Sequence, residues 1–437
     1  MLSLPHAGPA AQEVREHEFT DDLTSEALFA AADGDGINGD LPSDEPGSME
    51  PGTIEPGSVE PDEQFGGRVE PEDALPAVAP EAAAQKRFRF SARLRTSAVA
   101  DDNIFIQEKN KVSDFVLSVQ PGFTFGYGDT LNRKENFVLF DYDANAMFFA
   151  ENRDQNSLDH DAALRAQWHG SSLTLGGFLR FRSLTDVNVE IGDRLKRNVY
   201  EAGVYGRYEL SDRTRLGSEL SATKADYDRG HDYREFISRS FIDHDVGPRT
   251  TIGVGVTLGR LKVQGSGLQT YEQLLARAKY SAAAKLSFAV SGGVELRQLP
   301  GGDSQVTPVF NAQAAYTPYE LLKFRFDTYR RVQPSIATAG QNTVVTGVSA
   351  GAEYRFLQRW QASVAAGYEH AQYERSGHGT KAPDRKDNYA FGRIGVDYSF
   401  AHNWRAGAFY SYRTNDSTRS GSSFDNNQVG LQSSVAF

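Results

Sequence analysis

From residue 87 to the end of the chain, apolar and polar side chains alternate with a period of two, in runs of about 10–16 residues. In the run at 404–413, Trp404, Ala406 and Tyr410 fall on one face, whereas Arg405 and Arg413 fall on the other. Successive side chains of a strand point to opposite faces, so this period is typical of strands whose two faces meet different surroundings. The body of the chain is therefore predicted to be all-β.

The runs predict about 18 antiparallel strands. Sixteen strands are the alternative, because the runs at 233–246 and 270–282 alternate least regularly. The predicted strands lie at 87–98, 113–127, 135–149, 158–169, 172–186, 197–210, 213–226, 233–246, 250–262, 270–282, 285–298, 305–317, 321–333, 342–356, 359–373, 387–400, 403–415 and 424–437.

The strand pattern fits a soluble sandwich or a membrane barrel, and three features favour the barrel. The runs are longer than the roughly 5–6 residues of soluble strands and match the about 9–11 residues of tilted membrane strands. Short connections such as Gly247-Pro248-Arg249 alternate with long polar ones such as Thr414–Ser423, and aromatic residues such as Trp360 lie near run ends. Residues 86–437 are therefore predicted to form a transmembrane up-and-down β-barrel of the bacterial outer membrane, with both ends of the barrel at the periplasm.

Composition agrees with this prediction. The mean hydropathy is −0.50, and no stretch approaches the 18 or so apolar residues of a transmembrane helix. A barrel strand shows only alternate side chains to lipid, so a low average is expected. The chain has 27 Phe and 19 Tyr and no cysteine, which excludes disulfides and thiolate metal sites.

Residues 1–85 differ from the barrel in charge. They contain 20 Asp and Glu against Arg15 and Arg68, a net charge of −18, which leaves +6 for the remainder. An E-P-G repeat begins at Glu45, Glu50 and Glu55. With few large apolar residues, this segment is predicted to be a disordered periplasmic tail, either a spacer or a docking segment for a basic partner.

The N-terminal segment also contains a group of three aspartates and has a weakly apolar beginning. Asp33, Asp35 and Asp40 resemble a calcium loop, but Ala31 and Pro42 occupy positions where ligands belong, so no metal site is predicted. The first seven residues are too short and too weakly apolar for an export signal. We therefore expect a signal upstream of this sequence or one already removed.

The last strand ends with Val435 and Phe437 on one face, and the phenylalanine is terminal. This ending resembles the C-terminal signal that the barrel assembly machinery reads. The resemblance implies that this machinery, together with outer-membrane lipid, is a partner of the chain.

The first predicted hairpin carries Asp102-Asn103-Ile104-Phe105, then Ser113-Asp114-Phe115 and Gln120-Pro121-Gly122. These segments resemble the opening of the putative outer-membrane β-barrel porin family, type 2, whose genes often accompany exopolysaccharide-production genes. The resemblance implies an outer-membrane barrel with a role in polysaccharide export, alongside polysaccharide and periplasmic export proteins as partners. It implies no catalytic residues.

If apolar side chains face lipid, the alternate side chains face the lumen, and many of these are arginine. An excess of guanidinium groups favours anions and offers bidentate contacts to carboxylates and phosphates. The alternative is that arginines and acids of neighbouring strands pair to rigidify the wall. The predicted lumen-lining basic residues are Arg87, Arg89, Arg93, Arg95, Arg180, Arg182, Arg207, Arg325, Arg355, Arg393, Arg405 and Arg413.

These patterns lead to three functional hypotheses. The first is a porin-like channel that passes small anions or helps to export an anionic exopolysaccharide. The second is a closed structural or docking barrel whose acidic tail recruits periplasmic partners. The third, an outer-membrane hydrolase, is disfavoured because His244 and its neighbours Asp243 and Asp245 point to opposite faces of a strand. No cofactor is predicted, and the absence of a basic stripe argues against nucleic acid.

Overall fold

The structure is a computed structural model that describes residues 88–128, 136–282, 285–375 and 385–437. The described residues form 18 strands and a 3₁₀ turn at Arg153–Gln155. The strands are β1 (Phe88–Asp101), β2 (Asp114–Gly128), β3 (Phe137–Phe149), β4 (Ser157–His169), β5 (Leu173–Asn188), β6 (Asp193–Ser211), β7 (Thr214–Tyr227), β8 (Tyr233–Gly247), β9 (Thr250–Val263), β10 (Leu268–Ala282), β11 (Leu286–Gln298), β12 (Ser304–Tyr319), β13 (Leu322–Pro334), β14 (Gln341–Leu357), β15 (Trp360–Arg375), β16 (Arg385–Ala401), β17 (Trp404–Ser417) and β18 (Phe424–Ala436).

The sheet closes on itself. Each strand pairs antiparallel with its neighbours in sequence, and β1 also pairs with β18. The closing register places Arg93 opposite Ala436 and Asp101 opposite Gln428. A closed barrel leaves no unpaired sheet edge, which satisfies the backbone without help from solvent.

The predicted fold is confirmed, including the number of strands. The largest difference is at β6, which begins at Asp193 rather than at residue 197, because β5 and β6 continue as a long hairpin beyond the predicted run. The tail at 1–85, the calcium-like aspartates Asp33, Asp35 and Asp40, and Arg87 lie outside the described residues. In the described part of the chain, no helix is long and apolar enough to cross a membrane.

The two faces of the barrel differ as the alternation predicts. Large apolar side chains such as Leu179, Val256 and Leu431 are exposed on the outer surface, where lipid would cover them. The alternate positions, among them Arg180, Gln273 and Gln428, are buried towards the lumen. The apolar surface of this barrel is therefore on the outside, and the polar surface is inside.

The two ends of the barrel also differ. Residues 88 and 436 lie at one end, together with tight connections such as 212–213, 248–249, 358–359 and 402–403; we call this the turn end. The opposite end, which we call the loop end, carries the longer connections at 102–113, 150–156, 335–340 and 418–423. This alternation is that of outer-membrane barrels.

Aromatic side chains form a band around the outside of the turn end. Phe356 lies 6.2 Å from Trp360, which lies 4.9 Å from Tyr398, measured between ring centroids. Phe400 continues the band at 4.6 Å from Trp404. Such rings suit the boundary between hydrocarbon and headgroups, as the sequence pattern predicts.

The face assignment makes a mutational prediction. Val348 is exposed on the outer face of β14, so Val348→Arg would place a charge in lipid and is expected to destabilise the barrel by about 2–4 kcal/mol. The matched control is Ser349→Arg, because Ser349 faces the lumen beside Asp327 of β13. Urea unfolding in lipid vesicles measures both variants. Equal losses of stability would contradict the assigned faces.

Candidate functional site

The lumen wall carries ion pairs between nearby strands. Arg93 binds Asp143 through two hydrogen bonds, with Nε 2.9 Å from Oδ1. Arg180 binds Asp161 in the same bidentate manner, at 3.0 and 2.7 Å. Arg239 donates to Glu219, its partner in the register of β7 and β8, at 2.9 Å. Cross-strand pairing of this kind holds the wall rigid.

The structure places the predicted lumenal arginines on the inward-facing positions of their strands, apart from Arg87, which is not described. Arg182 pairs with Glu201 at 3.2 Å, and Arg413 donates to Asn426 at 2.6 Å. Arg393 lies over the ring of Phe409, with its Cζ 3.8 Å from the ring centroid. Arg95, Arg207 and Arg413 are buried, Arg325 and Arg405 are partly exposed, and Arg89 and Arg355 are exposed at the turn end.

Charge is distributed unevenly along the barrel axis. Over the whole described lumen, inward-facing acids nearly equal inward-facing bases in number, because many acids lie near the loop end. Among them are Asp101, Asp159, Asp186, Glu235 and Asp387. Within three residues of the turns at the turn end, by contrast, the inward-facing acids Glu209 and Asp245 are outnumbered by basic residues. We call this basic set the basic rim. Its members are Arg89, Arg215, Lys279, Lys323, Arg325, Arg355 and Arg405.

The β5–β6 hairpin reaches across the loop end of the lumen. Its tip is organised by Asn188, which accepts from the N–H groups of Ile191 and Gly192, and Gly192 has the positive φ of +77° that such a turn requires. The Glu190 carboxylate accepts from Ser335 Oγ, Ile336 N (3.1 Å) and the next backbone N–H. These partners lie between β13 and β14, and β14 is nine of the 18 strands from β5 in either direction.

Arg385 holds the same tip from β16. Its Nη1 donates to the backbone carbonyl of Glu190 at 2.9 Å, and its Nη2 donates to that of Val189 at 3.3 Å. Asp387 orients the guanidinium through Nε at 2.9 Å. The guanidinium also lies 4.7 Å from the centroid of the Tyr373 ring. We call the contacts of Glu190 and Arg385 across the lumen the latch.

An apolar cluster packs around the latch. Ile106, from the β1–β2 connection, meets Val187 and Val189 of the hairpin. Its other members project inward from the far wall, and apolar groups that meet across a lumen exclude water from it. They are Tyr329, Val345, Ala371, Tyr373, Tyr389 and Phe424. The hairpin tip and this cluster therefore reach from one wall of the lumen to the other at the loop end.

The motif near the first hairpin fixes this region in place. Asn103 accepts from Gln107 N and donates to the carbonyl of Asp425, which ties the β1–β2 connection to β18. The Asp114 carboxylate accepts from the backbone N–H of Ala150 at 3.0 Å and of Asn152 at 2.8 Å, so it shapes the β3–β4 connection. In this barrel the motif positions loops at the mouth.

The latch was not predicted from the sequence. The predicted strands end at residue 186 and resume at residue 197, so residues 187–196 lay outside them, and Arg385 and Asp387 lie near the start of an ordinary strand run. A signal was present in Val187, Val189 and Ile191, because alternating apolar side chains at a loop tip indicate a tip that packs against protein. The hydrogen-bond partners of Glu190 and Val189 are 145 and 196 residues away in sequence, and no local pattern identifies these partners.

Among the described histidines, His160, His169, His244 and His370 contact hydroxyl or amide groups. His244 Nδ1 lies 2.9 Å from Thr214 Oγ1 on the outer face, whereas Asp243 is buried inward. His370 Nδ1 lies 2.9 Å from Asn388 Oδ1. The described residues contain no group of three or more His, Asp or Glu that could hold a metal ion.

Residues 303–437 match the family model described as putative beta-barrel porin 2. The chain is similar to this family over that part, which includes β12 to β18. These strands contain the far wall that receives the hairpin tip. No curated protein matches the sequence.

Solved barrels of similar span are known. OpdK of Pseudomonas aeruginosa, solved with vanillate, is 12% identical, with 80% of this chain and 99% of that chain covered and a TM-score of 0.42. OccAB4 of Acinetobacter baumannii is 11% identical, with 81% and 99% covered and a TM-score of 0.43. A bacterial polysaccharide outer membrane secretin is 13% identical, with 79% and 98% covered and a TM-score of 0.35.

The latch predicts a change in the accessibility of Val189, which is 1% exposed. Because the chain has no cysteine, Val189→Cys provides a single thiol, which we expect to react slowly with a water-soluble maleimide. Adding Arg385→Met removes two charged hydrogen bonds, each worth roughly 1.5–3 kcal/mol, so the labelling rate should rise at least about tenfold.

Val263→Cys provides the matched control for that labelling. Val263 is also buried near the loop end but packs in a separate cluster with Tyr233 and Leu261. Its labelling rate should not respond to Arg385→Met. The same acceleration at both thiols would mean that the substitution loosens the whole barrel, and no acceleration at Val189→Cys would contradict the latch.

Proposed function

We propose that the porin-like barrel passes anionic solutes through its lumen, and that passage requires the β5–β6 hairpin to leave the far wall. The observation that carries this proposal is the basic rim at the turn end, leading into a lumen lined with arginine. A mouth with an excess of one charge raises the local concentration of the opposite ion. Barrels of 16–18 strands are wide enough for an aqueous channel once the lumen is not filled by loops.

The solute class follows from the guanidinium groups. Arginine binds carboxylates and phosphates through two parallel hydrogen bonds, so small organic anions suit this lumen. The rows of Arg–Asp and Arg–Glu pairs provide sites at which an incoming anion exchanges with a wall carboxylate. The resemblance of the first hairpin suggests an anionic exopolysaccharide as the larger solute, with polysaccharide and periplasmic export proteins as partners.

A second function is supported by the hairpin and the apolar cluster that cross the loop end. With the latch and its apolar cluster in place, the barrel is suited to a structural or docking role, in which the acidic tail at 1–85 recruits basic periplasmic partners. This role needs no movement of the hairpin. The two functions therefore differ in one measurable property, the conductance of the barrel.

We further propose the orientation in which the turn end, the tail and the C-terminus face the periplasm. Short turns at the periplasm and long loops outside are the rule for outer-membrane barrels. In this orientation the basic rim faces the periplasm, so anions would enter from the side of synthesis and export.

Single-channel recording of the refolded full chain in planar lipid bilayers tests the transport proposal. We expect rare openings for the natural sequence and frequent openings for Arg385→Met, because the hairpin tip then loses its hold on the far wall. In a salt gradient, the reversal potential of the open state should indicate anion preference. Neutralising the rim with Arg89→Gln and Arg355→Gln should shift that potential towards zero.

Arg419→Met is the matched control for the latch variant, because Arg419 is an exposed arginine in the β17–β18 connection. It should leave the opening frequency unchanged. Bilayers that stay silent with Arg385→Met, when gel mobility shows a folded barrel, would contradict transport and support the docking function.

The C-terminal strand generates a separate prediction about assembly. Phe437 is 74% exposed on the outer face, and its backbone exchanges hydrogen bonds with Ala92 of β1 where the barrel closes. We propose that Val435 and Phe437 form the signal read by the barrel assembly machinery. Deleting Phe437 should strongly reduce the folded barrel in cells but only slightly alter refolding in detergent. Val429→Ala, on the same face of β18, is the control and should assemble normally.

A further inference from the structure

Five basic side chains gather on the outer surface of the barrel near the loop end. They occupy outward positions of β6, β7, β8 and β9, in line with the exposed apolar residues Tyr200, Leu220 and Phe236 of the same strands. All are exposed except Lys224, which is partly exposed. We call them the outward basic patch, and they are Lys196, Lys224, Arg234, Arg260 and Lys262.

The strand register places like charges side by side. Lys224 of β7 lies directly opposite Arg234 of β8, and Arg234 lies directly opposite Lys262 of β9. Like charges in opposed positions destabilise a sheet. The row therefore lowers the stability of the bare barrel, and an anion bound between the three cations would remove that repulsion.

Nearby acids balance only part of this charge. Asp226 pairs with Lys224, with Nζ and Oδ2 2.5 Å apart. Asp228 accepts from the backbone N–H of Lys196 at 3.0 Å, and Glu272 is exposed on the outer face of β10. Arg234, Arg260 and Lys262 remain as an excess of positive charge facing outwards.

The patch begins where the apolar belt ends. On β9, the exposed apolar positions run from Ile252 to Leu258, and Arg260 and Lys262 follow them towards the loop end. The Lys224 ammonium lies 5.5 Å from the centroid of the Tyr200 ring. Apolar side chains below and cations above are the arrangement that an amphipathic lipid meets at the level of its headgroup.

We propose that the outward basic patch binds the phosphate groups of a phosphorylated glycolipid, of the lipid A type, in the leaflet around the loop end. The acyl chains would cover the apolar belt of β7 to β9, and the phosphates would lie between Lys224, Arg234 and Lys262. Arginine binds a phosphate through two hydrogen bonds, and lysine contributes a point charge. This binding is independent of solute passage through the lumen and rests on the proposed outward orientation of the loop end.

The test compares thermal unfolding of the full refolded chain in zwitterionic detergent with and without bisphosphorylated lipid A. A ligand that binds the folded state raises the melting temperature. The patch variant combines Lys224→Gln, Arg234→Gln and Lys262→Gln, and the matched control combines Arg213→Gln, Arg249→Gln and Arg359→Gln at exposed positions of the turn end. Native mass spectrometry counts bound lipid A in the same samples.

Without lipid, we expect the patch variant to melt at least as high as the natural sequence, because the opposed cations are gone. With lipid A, the natural sequence and the turn-end control should gain in melting temperature, whereas the patch variant should not. The patch variant should retain about tenfold less lipid A, and dephosphorylated lipid A should have no effect on any of the three.

Three outcomes would overturn the proposal. One is equal lipid A binding by the patch variant and the natural sequence. Another is an equal loss of binding in the turn-end control, which would indicate general charge attraction. The third is complete displacement of lipid A by millimolar inorganic phosphate, which would assign the patch to the free anion. Channel recordings do not enter the test, so failure here is distinguishable from failure of the transport proposal.

Discussion

The structure depends on the closure of one hydrogen-bond ladder, the pairing of β1 with β18. A membrane offers the backbone no hydrogen-bond partners, so a sheet can cross it only when no strand edge remains. Here Arg93 to Asp101 pair with residues 428–436, and the terminal Phe437 exchanges hydrogen bonds with Ala92. Because the ring is closed, every strand must present one face to lipid and one to the lumen, and the alternation along the 18 strands follows.

Closure of the sheet also leaves a wide lumen whose charged wall must be satisfied. An 18-stranded ring encloses more space than side chains can fill, and its inner wall carries buried charge. Near the wall, pairs such as Arg180 with Asp161 satisfy that charge locally. At the loop end, the β5–β6 hairpin, the β1–β2 connection and inward aromatic residues fill the centre. The same barrel thus has a basic rim at the turn end and a lumen crossed by the hairpin at the loop end.

A few directional contacts hold the hairpin tip at the loop end. Arg385 and Glu190 fix a turn whose other neighbours are mainly apolar, and both bind backbone groups of the opposite segment. Such contacts define one position of the hairpin tip against the far wall. Outside the barrel, the outward basic patch is proposed to pair with phosphate groups of the surrounding lipid.

The strands and their faces follow from the residue pattern alone, which predicts 18 strands with 16 as the alternative. Every second side chain of a strand meets the same surroundings, so a barrel wall with lipid on one side produces a pattern within each strand. The run from Trp404 to Arg413 and the pair Val348 and Ser349 show this pattern. The inward direction of the predicted arginines follows from the same rule. The contacts of the loops and the pairing of charges are visible only in the folded barrel. Glu190 and Ser335 are 145 residues apart, and the row of Lys224, Arg234 and Lys262 exists only because three strands align in one register. Contacts across the lumen depend on ring closure, and contacts between strands depend on register. Neither closure nor register produces a periodic pattern in the residues that make these contacts.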